Sequence, residues 1–204
     1  MGAQKKSQSE MTFIEKHRRK QIIDTAIEII ARDGYHQATL ASVAKEAGFS
    51  KGVIFYYFKN KDELTEQINE ILLDELRDHT RKCMKEEAPQ ADNLKAYVEA
   101  YLDFIRKNRE KFAILVELGI NLNQKMQDQL FSSLVYIDCR KSLAVIMDRD
   151  GKRDNLEKKT ADALVVVVQA MLDGLGIQYL SDPKNIDLDA CQQVILSMIA
   201  SYQP

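Results

Sequence analysis

The run Ala47-Gly48-Phe49-Ser50-Lys51-Gly52-Val53-Ile54-Phe55-Tyr56-Tyr57-Phe58-Lys59-Asn60-Lys61-Asp62-Glu63-Leu64 decides how this chain is read. Gly48 stops one short helix, Phe49 is an apolar turn residue, and Ser50 can cap a second helix reaching about Tyr57. Asn60, with Glu63 three residues on, resembles a capping box that opens a third helix at Lys61. Upstream, Thr39 fits the N-cap of a helix whose core face is Leu40, Val43, Ala44 and Ala47. Helices this short do not stand alone in water, so packing must hold them. Two short helices joined by a tight turn match the helix-turn-helix description, and they also match an ordinary corner between helices. Side-chain chemistry favours the first. Ser50 and Lys51 can donate to phosphate beside free backbone N–H groups, and Gly52 leaves room for close approach. Ile54, Phe55 and Phe58 read as core anchors. Tyr56 and Tyr57 cannot both face inward, and an exposed tyrosine hydroxyl is a phosphate donor.

Outward from this run, Ile22, Ile23, Ala26, Ile27, Ile29 and Ile30 recur at helical spacing between about Glu15 and Asp33, with Gly34 as the stop. The helix opened by Asn60 should run to about Glu87. Helical periods continue near 92–107, 109–119, 123–148, 155–181 and 187–203. The four valines Val165–Val168 favour strand by propensity, but Leu164, Met171, Leu172 and Leu175 keep helical spacing around them.

Composition agrees with an all-α chain. Its 204 residues hold eight glycines and three prolines, against roughly 14 and 10 at average usage, so the turn punctuation of an all-β fold is missing. The longest purely apolar run, Ala163–Val168, is far below the ~18 residues of a membrane span. Cys83, Cys139 and Cys191 are too widely spaced for a disulfide framework or a metal site. The net charge of −2 hides an asymmetry: residues 1–62 carry +4 and the remainder −6. A basic segment can meet a polyanion that an acidic body would repel.

The quoted run closely resembles the DNA-binding segment of the tetracycline-repressor (TetR-like) family of bacterial transcriptional regulators. Gly34-Tyr35, Ala38-Thr39-Leu40 and Val43-Ala44 fit the same pattern, so the resemblance covers about residues 16–76. Ala163–Leu180, with Asp173-Gly174-Leu175, looks like the family's ligand-binding and dimerisation body. The resemblance implies that Thr39 contacts phosphate and that Lys51, Gly52 and Val53 lie at the groove. It further implies that Tyr57 and Lys61 grip the DNA backbone, and the side-chain chemistry adds Ser50 and Tyr56 to the same interface. The chain departs at Phe55, where the family often has tyrosine, and at Tyr56, where histidine is frequent. Val53 replaces a common Ser or Thr and could pack on a thymine methyl instead.

Other chemistry is sparse. His17, His36 and His79 lack partners at metal-binding spacing, there is no nucleotide loop, and no nucleophile and base appear as a set. No enzyme activity, cofactor or metal is therefore expected. Glu117 reads either as a buried carboxylate facing a cationic effector or as a solvent-facing residue. Tyr101, Phe104, Phe112, Phe131 and Tyr136 read either as a small-molecule cavity or as plain core. Leu164, Val168, Met171, Leu172 and Leu175, with Val194, Ile195 and Met198, form apolar faces that suit a dimer interface.

The sequence thus predicts a cytoplasmic all-α protein with no membrane association. Residues 1–15 form a flexible lead, 16–76 a three-helix helix-turn-helix DNA-binding domain, and 77–204 an effector-binding and dimerisation domain. Its partners would be double-stranded operator DNA, a second copy of itself and a small-molecule effector. The competing expectation is a helical small-molecule-binding or interaction module with no DNA role.

Overall fold

The computed structural model describes residues 12–85, 90–121 and 155–201. Thr12 opens α1 (Phe13–Asp33): its Oγ1 accepts from the Glu15 amide at 3.3 Å, and Glu15 Oε2 accepts from the Thr12 amide at 2.7 Å. Such a reciprocal pair satisfies two amides that the first turn leaves without partners. The helix therefore starts at Phe13, so residues 12–15 are cap and first turn, not part of a flexible lead. Gly34 ends α1 at φ +86°, a backbone region that favours glycine. A single 3₁₀ turn, Tyr35–Gln37, then leads to α2 (Leu40–Glu46), α3 (Lys51–Tyr57) and α4 (Lys61–Cys83).

Thr39, Ser50 and Asn60 occupy the three N-caps expected of them. Asn60 Oδ1 accepts from the Glu63 amide at 2.8 Å, but Glu63 reaches past Asn60 to the Lys59 amide, also at 2.8 Å. The α4 helix stops at Cys83 instead of about Glu87, so its 23 residues span about 35 Å at 1.5 Å per residue. Then come α5 (Gln90–Lys107), α6 (Arg109–Asn121), α7 (Asn155–Ser181) and α8 (Leu188–Ser201). Among the described residues there is no strand, and Val165–Val168 lie within α7. The helix expected near 123–148 falls outside them.

Two buried clusters organise these helices. The first gathers Ile22, Ile29, Val43, Ile54, Phe58, Leu64 and Ile68, and Ile114, Leu115 and Leu118 of α6 join it. The second gathers Tyr97, Val98, Leu102, Ile105, Phe112, Val168, Leu172, Ile195 and Ile199. The α4 helix passes from one to the other, with Leu73 in the first and Leu76 in the second. Arg19 lies 4.6 Å from the centroid of the Phe58 ring and donates to Gln67 at 3.3 Å, tying α1 to the end of α3 and to α4.

The expected dimer face needs correction. Val168, Leu172 and Ile195 are buried in the protomer's own second core, and Leu164, Met171 and Leu175 pack partly against it. On α7 and α8, the large apolar side chains left exposed among the described residues are Val166, Val167, Ile177, Val194 and Met198. Both helices are apolar on more than one side, and periodicity alone does not say which side turns inward. The stretch Asp162–Ser181 has the length and composition of a membrane span. Val165, Val168 and Leu172 nevertheless pack it into the helical core.

Gly176 permits the close approach of α7: a Cβ there would lie 2.5 Å from Phe112 Cε1 and 2.9 Å from Ile105 Cδ1, whereas one on Gly174 would meet nothing within 4 Å. Gly176→Ala should therefore destabilise by about 1–3 kcal/mol through overpacking. Gly174→Ala should be neutral or gain up to about 1 kcal/mol from helix propensity. Urea denaturation of the two variants checks this, and equal midpoints would contradict the packing described.

Candidate nucleic-acid interface

Successive residues of a helix turn by about 100°, so positions three and four apart share a side. On α3 this separates Lys51, Gly52, Phe55 and Tyr56 from Ile54, Tyr57 and the C-cap residue Phe58. The first set is exposed, with Phe55 at 57% and Tyr56 at 48%. The second set is inside, none of it more than 2% exposed. Val53 sits on the boundary, partly buried against the first core.

Three expectations change here. Phe55 is not a core anchor but a surface ring, and it shares its face with Lys51 at i and i+4. Tyr57 is buried, so its hydroxyl is not presented to solvent as a phosphate donor. Lys61 is also engaged: its Nζ donates to the Tyr35 carbonyl at 2.5 Å, lies 3.5 Å from the His36 carbonyl, and sits 3.7 Å from the centroid of the Tyr35 ring. Burial pushes the Lys61 pKa down, while Asp62 and Glu117 act the other way. This lysine pins the start of α4 to the 3₁₀ turn instead of reaching outward.

The remaining expected residues lie on the surface. Thr39 Oγ1 accepts from the Ser42 amide at 3.0 Å, and the Thr39 amide donates to Ser42 Oγ at 2.9 Å. Ser50 Oγ accepts from the Val53 amide at 3.4 Å. Tyr56 donates its hydroxyl to Glu15 Oε1 at 2.9 Å, bracing the outer face of α3 against the first turn of α1. Lys51 is exposed and makes no hydrogen bond or ion pair among the described residues. The exposed set therefore combines a lysine with no partner among the described residues, a glycine, two aromatic rings and three hydroxyls on short, rigidly seated helices.

Glu117 is neither facing an effector nor turned to solvent. Its Oε1 accepts from the Tyr35 amide at 2.7 Å, so a side chain of α6 grips the turn between α1 and α2. Neighbours Ile114 and Leu118 enter the first core and carry Glu117 there.

Of the expected effector residues, Tyr101, Phe104 and Phe112 are buried in the second core, while Phe131 and Tyr136 lie outside the described residues. A polar group among them escaped sequence reading. Tyr101 donates to Asp173 Oδ1 at 2.5 Å, Gln169 Nε2 donates to the same oxygen at 2.9 Å, and Tyr97 donates to Gln169 Oε1 at 2.9 Å. The available signal was Gln169 and Asp173 at i and i+4 in the otherwise apolar stretch 163–177 of α7. Among the described residues, no cluster of His, Cys, Asp and Glu is placed to hold a metal.

The sequence model of "Bacterial regulatory proteins, tetR family" matches residues 22–68, from α1 through α3 into α4. A fatty acid metabolism regulator protein of Bacillus subtilis is 29% identical over 187 residues, covering 89% of this chain and 93% of its own. The nicotine-responsive transcriptional repressor HdnoR of Paenarthrobacter nicotinovorans is 29% identical over 175 residues, covering 82% and 86%. Among solved structures, the regulator FadR from Bacillus subtilis in complex with stearoyl-CoA superposes with a TM-score of 0.73. The two are 21% identical, over 91% of this chain and 99% of that one. A transcriptional regulator from Pseudomonas aeruginosa PAO1 reaches 0.74 at 17% identity, over 95% and 92%.

The distinction between Lys51 and Lys61 can be measured. Lys61→Ala removes a charged donor from a partly buried carbonyl and should cost about 1.5–3 kcal/mol of folding stability. Lys51→Ala, on the open surface, should change it by less than about 0.5 kcal/mol. Equal unfolding midpoints in urea would contradict the pinning role of Lys61.

Proposed function

The chain is a TetR-like, DNA-binding transcriptional regulator, and from that premise we propose that it works as a homodimeric repressor of a palindromic operator, released by a small-molecule effector. The observation that carries the reading is the exposed face Lys51, Gly52, Phe55 and Tyr56 on a helix whose other side is locked into a core. In this reading Thr39, Ser50, Lys51 and Tyr56 meet phosphates, which position the protein without reading sequence. Gly52 lets the backbone approach, and Val53 with Phe55 offers apolar contact to thymine methyl groups. Tyr57 and Lys61 serve from behind, holding the helix at its angle. A helical binding module without a DNA role has the −6 charge of residues 63–204 in its favour, but it leaves the exposed α3 face unused. The place of action follows the DNA, in the cytoplasm.

One recognition helix offers too little surface for tight binding alone, which is the reason to pair two chains. Val166, Val167 and Ile177 with Val194 and Met198 supply an apolar surface on adjacent helices. A second copy related by a two-fold axis would complete a four-helix interface from it.

Release needs a connection between body and DNA-binding helices. The α6 helix supplies it through Ile114, Leu115 and Leu118 in the first core and Glu117 on the Tyr35 amide. An effector that prefers a body conformation with α6 displaced disfavours the DNA-bound spacing, and operator DNA must weaken effector binding by the same factor.

Selection from random duplex DNA should yield an inverted repeat with half-sites about one helical turn apart, ~34–36 Å. Affinity should fall steeply with salt, and Lys51→Ala should weaken binding on all sequences while lowering the salt slope by about 1. Equal weak binding to every duplex at physiological salt would overturn the reading. In sedimentation, Val194→Asp combined with Met198→Asp should give folded monomers that bind single operators poorly. Val168→Asp should instead lose helicity by circular dichroism. A double variant that remains dimeric would move the interface elsewhere.

A further inference from the structure

At the edge of the second core lies a partly buried carboxylate with one oxygen fully engaged and the other not. Asp173 Oδ1 accepts from both Tyr101 and Gln169, and Gln169 in turn accepts from Tyr97. The donors thus run from Tyr97 through Gln169 to Asp173, and from Tyr101 to Asp173, all converging on one oxygen. Asp173 Oδ2 is removed from solvent and, among the described residues, accepts no hydrogen bond. Buried polar atoms in native proteins are nearly always paired, so a carboxylate oxygen that has lost its hydration without gaining a donor calls for a partner such as a water, an ion or a ligand group. Burial pushes the Asp173 carboxyl up, against the two hydrogen bonds that lower it. A positive charge at Oδ2 would relieve that penalty.

The surroundings favour one kind of partner. The Tyr101 ring reaches the carboxylate through its hydroxyl, and the Tyr97 ring lies 6.0 Å from it, tilted by 36°. Aromatic rings and a buried carboxylate together recognise organic cations. An anionic group would face a carboxylate oxygen, while the Tyr101 hydroxyl and the Gln169 amide already donate to its neighbour.

We propose that Asp173 anchors the effector and that the effector is an organic amine in its protonated form, its N–H donating to Asp173 Oδ2 between α5 and α7. This rests on the effector-released regulator described above and names the chemistry of its ligand.

A matched series tests it: 3-phenylpropylamine, 3-phenylpropanol and 3-phenylpropanoate, with hexylamine and N-methylated phenylpropylamine as further cations, titrated by calorimetry against the full chain. The amines should bind at least tenfold more tightly than the alcohol, and the carboxylate should bind weakest. Asp173→Asn keeps the side chain's shape and an oxygen to accept from Tyr101, and it should lose at least tenfold in amine affinity while the alcohol is unaffected. Absence of binding by every amine, an alcohol or carboxylate that binds as well as the amines, or unchanged amine affinity in Asp173→Asn overturns the proposal. The first two outcomes use the unaltered chain and hold even if the variant does not fold. Operator binding by the wild type without ligand is measured separately, so failure of the regulator reading is distinguishable from failure of this one.

Discussion

The backbone of one residue, Tyr35, joins the parts of this protein that must move together. Its N–H is held by Glu117 of α6, and its carbonyl accepts from Lys61 in the first turn of α4. The turn it belongs to begins where α1 ends and fixes where α2 starts, through Gln37 and the Thr39 cap. The Gln37 carbonyl accepts from both the Thr39 amide and Ser42 Oγ, at 2.8 and 2.7 Å. Remove either grip and two or more helix ends lose their reference point. Helices of seven residues such as α2 and α3 have no stability of their own, so the orientation of α3, the helix proposed to face DNA, is inherited from this junction.

Charge and packing divide the work differently. Among the described residues, Lys16, Arg18, Lys45, Lys51 and Lys59 present exposed positive charge, which suits a polyanion. These exposed charges do not set geometry. Geometry comes from Ile54, Tyr57 and Phe58 on the inner side of α3, from Arg19 stacked on Phe58, and from Tyr56 tied to Glu15. The hydroxyl that serves DNA in the proposed mechanism is therefore held, before DNA arrives, by a carboxylate whose other oxygen caps α1. An exchange of Glu15 for phosphate keeps Tyr56 ordered in both states, which limits the entropy lost on binding.

What could be read from the sequence follows from how local each cause is. Thr39, Ser50 and Asn60 were identifiable as caps because the amide each one satisfies lies three residues away. The Ile22–Ile30 face and the short helices flanking Gly48 were likewise set by their own neighbours. Phe55 was misread because aromatics default to the core, although its spacing from Lys51 put it outside. Lys61 and Glu117 were misread for another reason: their partner, Tyr35, is 26 and 82 residues away. The same holds for Gln169 and Asp173, whose tyrosine donors are 72 residues distant on α5. On α7 and α8, periodicity revealed apolar faces but could not rank two of them against each other, so Val168, Leu172 and Ile195 were assigned to a surface they do not reach.

Because α6 contributes to both cores, the two halves of the chain cannot behave as independent domains. Phe112 belongs to the second core, whereas Ile114, Leu115 and Leu118 belong to the first. A close-packed interior has discrete arrangements and resists smooth deformation. Displacing Phe112, which lies against Gly176 and Ile105, must therefore shift α6 as a body or break its helix. The helix has no glycine between those residues to absorb the change. A body shift carries Glu117 along the axis, and Glu117 holds the amide of Tyr35. The path from the second core to the 3₁₀ turn is thus a single rigid helix with a hydrogen bond at its end. The region around Asp173 and Gly176 is where a ligand would gain the most purchase on it.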